Sequence, residues 1–303
     1  MKALVVGYGS IGSRHARILV DLGCEVSVVS ARPTTDYRRF STIAESISEF
    51  GPGYVVVANE TAKHHHTLCE LAEAGYEGEV LVEKPLFHEL EEMPRNNFAS
   101  VYVAYNLRFH PLLQELRILL EGQSVVSVQA YVGQYLPGWR PDRDYRDGYS
   151  AKGSAGGGVL RDLSHELDYL NWLLGGWRQL TALGGHYSEL EISSDDVFAV
   201  MLTTARCPVV TVQLNYLDRL TRRELIINTQ RHTIGIDFIK GELVVDDVRR
   251  QFSAERDHTY REMHRSVLEG ATDSLCTLEE GLDVVRMVAA AERAVTERRW
   301  IWK

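Results

Sequence analysis

The chain has 303 residues, with 33 basic against 42 acidic side chains and a formal net charge of -9. At about 150 residues per domain, that length suggests two domains with full cores. The acidic balance argues against a nucleic acid or an anionic membrane surface as the main partner. Cys24, Cys69, Cys207 and Cys276 show no CxxC spacing, so neither a zinc site nor a disulfide framework is expected; reduced thiols in a cytoplasm fit them. The N-terminus enters Leu4-Val5-Val6 at once, too early for a signal-peptide region, and no long apolar run predicts a membrane span.

Residues 2–6 read as a buried strand, 11–22 as a helix stopped by Gly23, and 25–30 as a second strand. A helix over 43–50 is broken by Gly51-Pro52-Gly53. A strand over 54–58, a helix over 63–74 and strands over 80–82 and 101–105 follow. Near-continuous apolar strands alternating with helices predict a parallel sheet covered on both faces. The pattern changes after Gly122. The stretches 125–135, 179–187, 197–204, 209–216 and 223–237 alternate or are rich in Val, Thr, Tyr and Leu, which predicts a mostly antiparallel sheet with one open face. One helix, 162–174, is inserted before Gly175-Gly176, and two more are expected near 257–268 and 278–297. The fold class is thus α/β followed by α+β, with a boundary near residue 121.

Gly7-Tyr8-Gly9-Ser10-Ile11-Gly12 fits GxGxxG. It follows a predicted strand and opens a predicted helix, the context in which glycines admit a pyrophosphate and a helix N-terminus binds it. A carboxylate about 20 residues on usually reads the ribose of NAD. Ser30-Ala31-Arg32 stands there instead, and a hydroxyl with a guanidinium suits a 2′-phosphate. NADP is therefore favoured over NAD; the other reading makes Arg32 a solvated loop residue in an enzyme that takes both.

Glu83-Lys84-Pro85 lies directly after the fourth predicted strand, where open α/β sheets bind ligands. A partly desolvated lysine there could exchange protons with a substrate hydroxyl. Elsewhere stand Asn59-Glu60-Thr61-Ala62-Lys63-His64, Tyr105-Asn106-Leu107-Arg108-Phe109-His110-Pro111 and Gly156-Gly157-Gly158-Val159-Leu160-Arg161-Asp162. In their order along the whole chain, these segments resemble the Gfo/Idh/MocA oxidoreductases. Two departures stand out. Glu60 occupies a position where proline is usual. Asp162 and His165 are three positions apart, where four are common.

The resemblance implies a Rossmann dinucleotide-binding domain over 1–121 and a substrate-binding and oligomerisation sheet domain over 122–303. It implies a nicotinamide cofactor and hydride transfer to or from a carbinol carbon of a sugar, sugar acid, nucleotide-sugar or cyclitol. On this reading Gly7, Gly9, Ser10, Ile11, Gly12, Ser30, Arg32, Asn59, Glu60, His64, Glu83, Lys84 and Asn106 hold the cofactor. Lys84 is the proton donor or acceptor, with His165 as its partner or alternative and Asp162 orienting one of them. Asp162 is equally readable as a helix N-cap. A homodimer or homotetramer through the C-terminal sheet is expected. Two other classes stay open: glycoside cleavage by transient oxidation, and a non-catalytic nucleotide-binding regulator.

Helical periodicity puts Leu163, Leu167, Leu170 and Leu174 on one stripe and Asp162, His165, Glu166 and Tyr169 on the opposite face, toward a cleft. The segment from Gln134 to Arg146 interleaves Tyr135 and Trp139 with Arg140, Arg143 and Arg146. Aromatic faces and guanidinium groups suit an acidic or nucleotide-linked sugar, so Tyr135, Trp139 and Arg140 join Lys84, Asn106, Asp162 and His165 as substrate candidates. A subunit contact is the other reading of that segment. His64-His65-His66 are too close in sequence to share a metal on a helix, so no metal site is expected. Asp195-Asp196 reads as a solvated turn.

Overall fold

The computed structural model describes residues 1–34 and 36–303 and divides into two units, Met1–Phe109 with Glu255–Leu282, and His110–Ala254 with Asp283–Lys303. A single cut after residue 121 would leave residues 255–282 in the second domain, whereas the first unit takes them back.

The first unit starts with β1 (Lys2–Val6), α1 (Ser10–Asp21), β2 (Glu25–Val29), β3 (Arg38–Phe40), α2 (Ile43–Phe50) and β4 (Tyr54–Val57). It continues with α3 (His64–Glu73), β5 (Glu79–Val82) and β6 (Ser100–Val103). The second unit starts with α4 (Pro111–Leu119), β7 (Val125–Gly133), α5 (Val159–Asp162) and α6 (His165–Leu173). Seven strands follow: β8 (Trp177–Gly185), β9 (Val197–Thr204), β10 (Val209–Asn215), β11 (Arg222–Thr229), β12 (Thr233–Asp237), β13 (Glu242–Val245) and β14 (Val248–Gln251). The chain ends with α7 (His258–Glu269), β15 (Cys276–Thr277), α8 (Leu278–Glu297) and β16 (Ile301–Trp302).

The first sheet has the order β15-β6-β5-β4-β1-β2-β3. All its pairings are parallel except that of β15 with β6. Its central strands are apolar along their length because helices cover both faces: Val55, Val56, Leu81 and Leu4 are fully buried. The parallel arrangement carries the residues after β1, β2, β4 and β5 to one edge, the carboxyl ends where open α/β sheets bind ligands. Helix α7 supplies Met263 and Val267 to the same core.

The second sheet has the order β14-β13-β12-β11-β7-β10-β9-β8-β16 and is antiparallel apart from β7 with β10. Its register aligns Ile226, Gln129, Thr211, Met201 and Thr181 in one cross-strand row. Ile226 and Met201 are exposed, as is Leu183 two residues from Thr181, so this face is open.

Three expectations change. The run 223–237 is a hairpin, β11 and β12, because the Thr229 hydroxyl accepts from the Arg231 and His232 N–H groups and turns the chain. The predicted helix 162–174 breaks at Leu163-Ser164, leaving Asp162 and His165 on separate helices. Of the predicted polar face of that helix, Asp162, Glu166 and Tyr169 are buried, Glu166 and Tyr169 at 0% exposure, and only His165 is half-buried. Glu166 pairs there with Arg223, 2.8 Å away.

Candidate active site

The glycine turn after β1 is built for close approach. Gly7 has φ +96°, and a Cβ there would stand 2.6 Å from the Asn59 backbone nitrogen. A Cβ on Gly12 would run into the Gly7 carbonyl oxygen. Gly9 stands at the N-cap of α1 with no side-chain cap, which leaves the first turn, including Ser10 and Ile11, open to an anion. The Arg32 guanidinium reaches this turn, 3.9 Å from an ideal Cβ on Gly9. Ser30 shapes the preceding bend, its hydroxyl accepting the Arg32 N–H at 3.0 Å. Arg39 of β3 reaches the Ser30 carbonyl at 3.5 Å.

After β4, Asn59 donates through Nδ2 to the Thr67 hydroxyl at 2.8 Å. Its Oδ1 is buried with no partner among the described residues. Glu60 is exposed and pairs with Lys63 at 2.8 Å; that hydrogen bond leads the causes holding its carboxyl below the usual value, and Arg32 adds to it. His64 is buried, its Nδ1 3.1 Å from the Pro85 and Leu86 carbonyls and its Nε2 3.3 Å from that of Asn59. Burial keeps its pKa below the ordinary imidazole value. His64 therefore ties the ends of β4 and β5 together. His65 and His66 turn to Glu91 and Glu70 instead, and no metal-binding group exists among the described residues.

Lys84 follows β5, half-buried, with a cis bond to Pro85. Its N–H donates to Glu83 Oε2 at 3.0 Å. Burial works against the Glu83 carboxylate, yet the His15 hydrogen bond at 2.8 Å, with the charges of His15 and Lys84, holds its pKa below the usual value. Asn106 is buried and donates to the Thr259 hydroxyl of α7 at 2.6 Å.

The second unit gathers another group. The Tyr216 hydroxyl donates to Asp162 Oδ2 at 2.7 Å, and the Tyr149 hydroxyl bonds the same carboxyl. Burial and then the Asp162 charge push the Tyr216 pKa well above that of a free phenol; for Tyr149 the Asp162 charge leads and burial follows. Both phenols thus stay protonated as donors. Asp162 closes α5 and caps no helix, since the N-cap of α6 is Ser164. The Trp139 ring meets Tyr216 edge-on at 5.3 Å, and its buried indole N–H has no partner among the described residues. The Arg140 charge acts on Tyr149. Tyr135 lies under the Arg219 guanidinium, 3.3 Å from the ring centre. Arg146 is occupied by Asp144 and Glu191. His165 opens α6, half-buried.

The solvated-turn reading of Asp195-Asp196 is corrected. Asp196 is fully buried and accepts from the Tyr187 and Ser188 N–H groups at 2.9 Å each, while Asp195 accepts from the Leu160 N–H at the start of α5. Tyr216, Tyr149, Arg39 and the pair His15 and His264 were not singled out by sequence. Only Arg39 carries a local signal, a second arginine close beyond the end of β2.

Residues 113–234 match the model of the GFO/IDH/MocA C-terminal domain. Comparison with curated proteins returns no match. Among solved structures, GenD2 from gentamicin A biosynthesis, in complex with NAD, is 21% identical with TM-score 0.79, covering 100% of this chain and 96% of its own. Levoglucosan dehydrogenase, in complex with NADH and levoglucosan, is 16% identical with TM-score 0.86 and coverage of 100% and 99%. The WlbA dehydrogenase from Bordetella pertussis, in complex with NADH and UDP-GlcNAcA, is 19% identical with TM-score 0.81 and coverage of 100% and 98%. Residues 113–234 thus match a Gfo/Idh/MocA C-terminal domain, and the chain as a whole shares its fold with these three structures.

Proposed function

We propose that the protein is a nicotinamide-dependent oxidoreductase acting on a carbinol or keto carbon of a sugar, sugar acid, nucleotide-linked sugar or cyclitol. The observation that carries this reading is the edge of the first sheet. There the glycine cradle, the unpartnered Asn59 Oδ1 and Lys84 follow β1, β4 and β5. A pyrophosphate fits the cradle that a Cβ would fill, and a ribose hydroxyl or carboxamide N–H fits Asn59 Oδ1. The nicotinamide, when bound, supplies or accepts the hydride.

The residues of the chain do the rest. Gly7, Gly9 and Gly12 admit the phosphates, and Ser10 and Ile11 present backbone N–H groups to them. Ser30, Arg32 and Arg39 read a 2′-phosphate, so NADP is preferred over NAD; since the three relatives carry NAD or NADH, the preference rests on these side chains. Glu60, His64 and Asn106 shape the cofactor site. Lys84 holds or takes the proton of the reacting oxygen, and Glu83 keeps its backbone in place. In the second unit, Asp162 with its two phenols, His165, the free Trp139 N–H, Tyr135 and Arg140 offer donors and acceptors to sugar hydroxyls. The open sheet face forms a homodimer or homotetramer. Among the described residues, no helix is long and apolar enough to cross a membrane.

The test is a fluorescence titration of the purified protein with NADPH and, separately, NADH. Tighter NADPH binding is expected. Tighter NADH binding would overturn the phosphate-reading roles, and binding of neither would overturn the oxidoreductase reading.

A further inference from the structure

Residues 193–196, directly before β9, bind three distant pieces of the second unit at once. The Ser193 N–H donates to the Ala151 carbonyl at 2.8 Å, and the Ser194 hydroxyl donates to the Ser150 carbonyl at 2.6 Å. The Asp195 carbonyl accepts the Val159 N–H at 3.0 Å, and the Asp195 carboxyl accepts the Leu160 N–H at 2.9 Å. The Asp196 carbonyl accepts the Tyr216 N–H at 2.9 Å. Each anchor lies on or close to one member of the Asp162 cluster. Tyr149 precedes Ser150, Asp162 closes the helix that Val159 and Leu160 open, and Tyr216 is held by its own backbone.

The local sequence admits this segment. Helix α5 has only four residues, and Gly158 at its N-cap has no side chain to satisfy the first N–H groups. Asp195 supplies that cap from 35 positions further along the chain. Gly158 has φ +122°, and a Cβ there would run into the Asp195 carboxyl. A Cβ on Gly157 would run into the Tyr149 and Ser150 carbonyls. These two glycines thus serve close packing of backbone and carboxyl. A single helical turn does not hold itself, so the place of Asp162 depends on the bonds at the start of α5. The segment is itself fixed. Ser194 and Asp196 are buried, and the Asp196 carboxyl accepts the Tyr187 and Ser188 N–H groups.

We propose that Ser194 and Asp195 are positioning residues that set the Asp162 carboxyl between the Tyr149 and Tyr216 hydroxyls, and that turnover depends on them through Asp162. The inference rests on the reading of Asp162 as a group that meets the sugar. Asp195 acts through the backbone of α5, and Ser194 acts through the backbone that carries Tyr149. The two phenols reach one carboxyl, so a shift of either anchor loosens the same pair of bonds.

The experiment compares Asp195→Ala, Asp195→Asn, Tyr216→Phe and the double variant of Asp195→Ala with Tyr216→Phe. It measures kcat on the sugar found by screening, nucleotide dissociation constants and melting temperatures, all at one pH. Asp195→Ala should lower kcat about tenfold or more. Its nucleotide affinity should stay near wild type, because the glycine cradle belongs to the first unit. Asp195→Asn keeps an oxygen for the Leu160 N–H and should restore kcat to within about twofold of wild type. The double variant should lose no more than about twofold beyond the worse single variant, since both changes act on one carboxyl. Three results would each overturn the inference while leaving the oxidoreductase reading intact: an unchanged kcat in Asp195→Ala, no rescue in Asp195→Asn, or losses that multiply in the double variant. If Asp195→Ala does not fold, Ser194→Ala paired with Tyr149→Phe decides by the same pattern. If nucleotide binds but no sugar is turned over, the melting temperatures decide. Shifts that overlap in the double variant support the positioning, and shifts that simply add overturn it. Failure to bind any nicotinamide nucleotide would overturn the oxidoreductase reading and the dependence of turnover with it.

Discussion

The Tyr216 hydroxyl donates to the Asp162 carboxyl at 2.7 Å, across 54 residues of sequence, with both side chains buried. Tyr149 bonds the same carboxyl, so Asp162 is oriented from two sides. Tyr216→Phe removes one hydrogen bond to a buried carboxylate, a loss of about 1.5–3 kcal/mol in stability. With Asp162 in contact with substrate, kcat on the sugar found by screening should fall about tenfold or more, and Asp162→Asn should fall with it. Steady-state kinetics and thermal unfolding check this together. A lowered melting temperature with unchanged kcat in both variants would make the cluster purely structural.

Lys84→Met keeps an unbranched side chain one atom shorter and removes the amine that carries the proton. Turnover should fall at least about a hundredfold while nucleotide affinity stays near wild type. The backbone bond to Glu83 Oε2 does not depend on the Lys84 side chain, so the turn itself should survive. Near-normal turnover would sink the role of Lys84.

Arg32 is exposed, and its guanidinium approaches both the glycine turn and Glu60. Arg32→Glu places a second carboxylate where a 2′-phosphate would sit. NADPH affinity should fall about tenfold or more and NADH affinity by far less. Equal losses for both nucleotides would show that Arg32 reads no phosphate.

Much of the first unit is legible because its signals are local. Gly51 takes φ +64° and ends α2 at the predicted break, and the apolar strands fall where their composition puts them. The return of α7 is not legible, because His15 and His264 meet across 249 residues and no local period encodes that contact. The same holds for Tyr216, which reads as one more residue of a β run until the fold brings Asp162 to it. The predicted polar face of helix 162–174 failed for a related reason. Periodicity assumes one continuous helix with one wet side, whereas here Leu163-Ser164 interrupt it and burial surrounds it.

The open face of the second sheet offers a test of assembly. Leu183 is 76% exposed, and Met201 and Ile226 point to the same side by register. Apolar side chains grouped on an open sheet face favour a partner surface. Leu183→Glu with Met201→Glu should convert a dimer or tetramer to monomer in sedimentation velocity, without loss of helix and strand content. A wild type that sediments as monomer at all concentrations would remove this face as an interface.

Asp195 gives a pH prediction. Its carboxyl accepts from the Leu160 N–H at 2.9 Å in the first turn of α5, and burial pushes its pKa from 3.8 up to about 6. The folded chain then holds the proton more tightly than the unfolded chain. The stabilisation is fully present below pH 3.8 and is lost as pH rises through about 6. Asp195→Asn keeps an oxygen to accept the Leu160 N–H but carries no charge to desolvate. Its melting temperature should therefore gain on wild type between pH 5 and pH 7.5, by about 2 °C or more. Thermal unfolding at the two pH values checks this. A variant–wild-type difference that is the same at both, or that shrinks as pH rises, would mean that the Asp195 carboxyl titrates no higher in the folded chain than in the unfolded one.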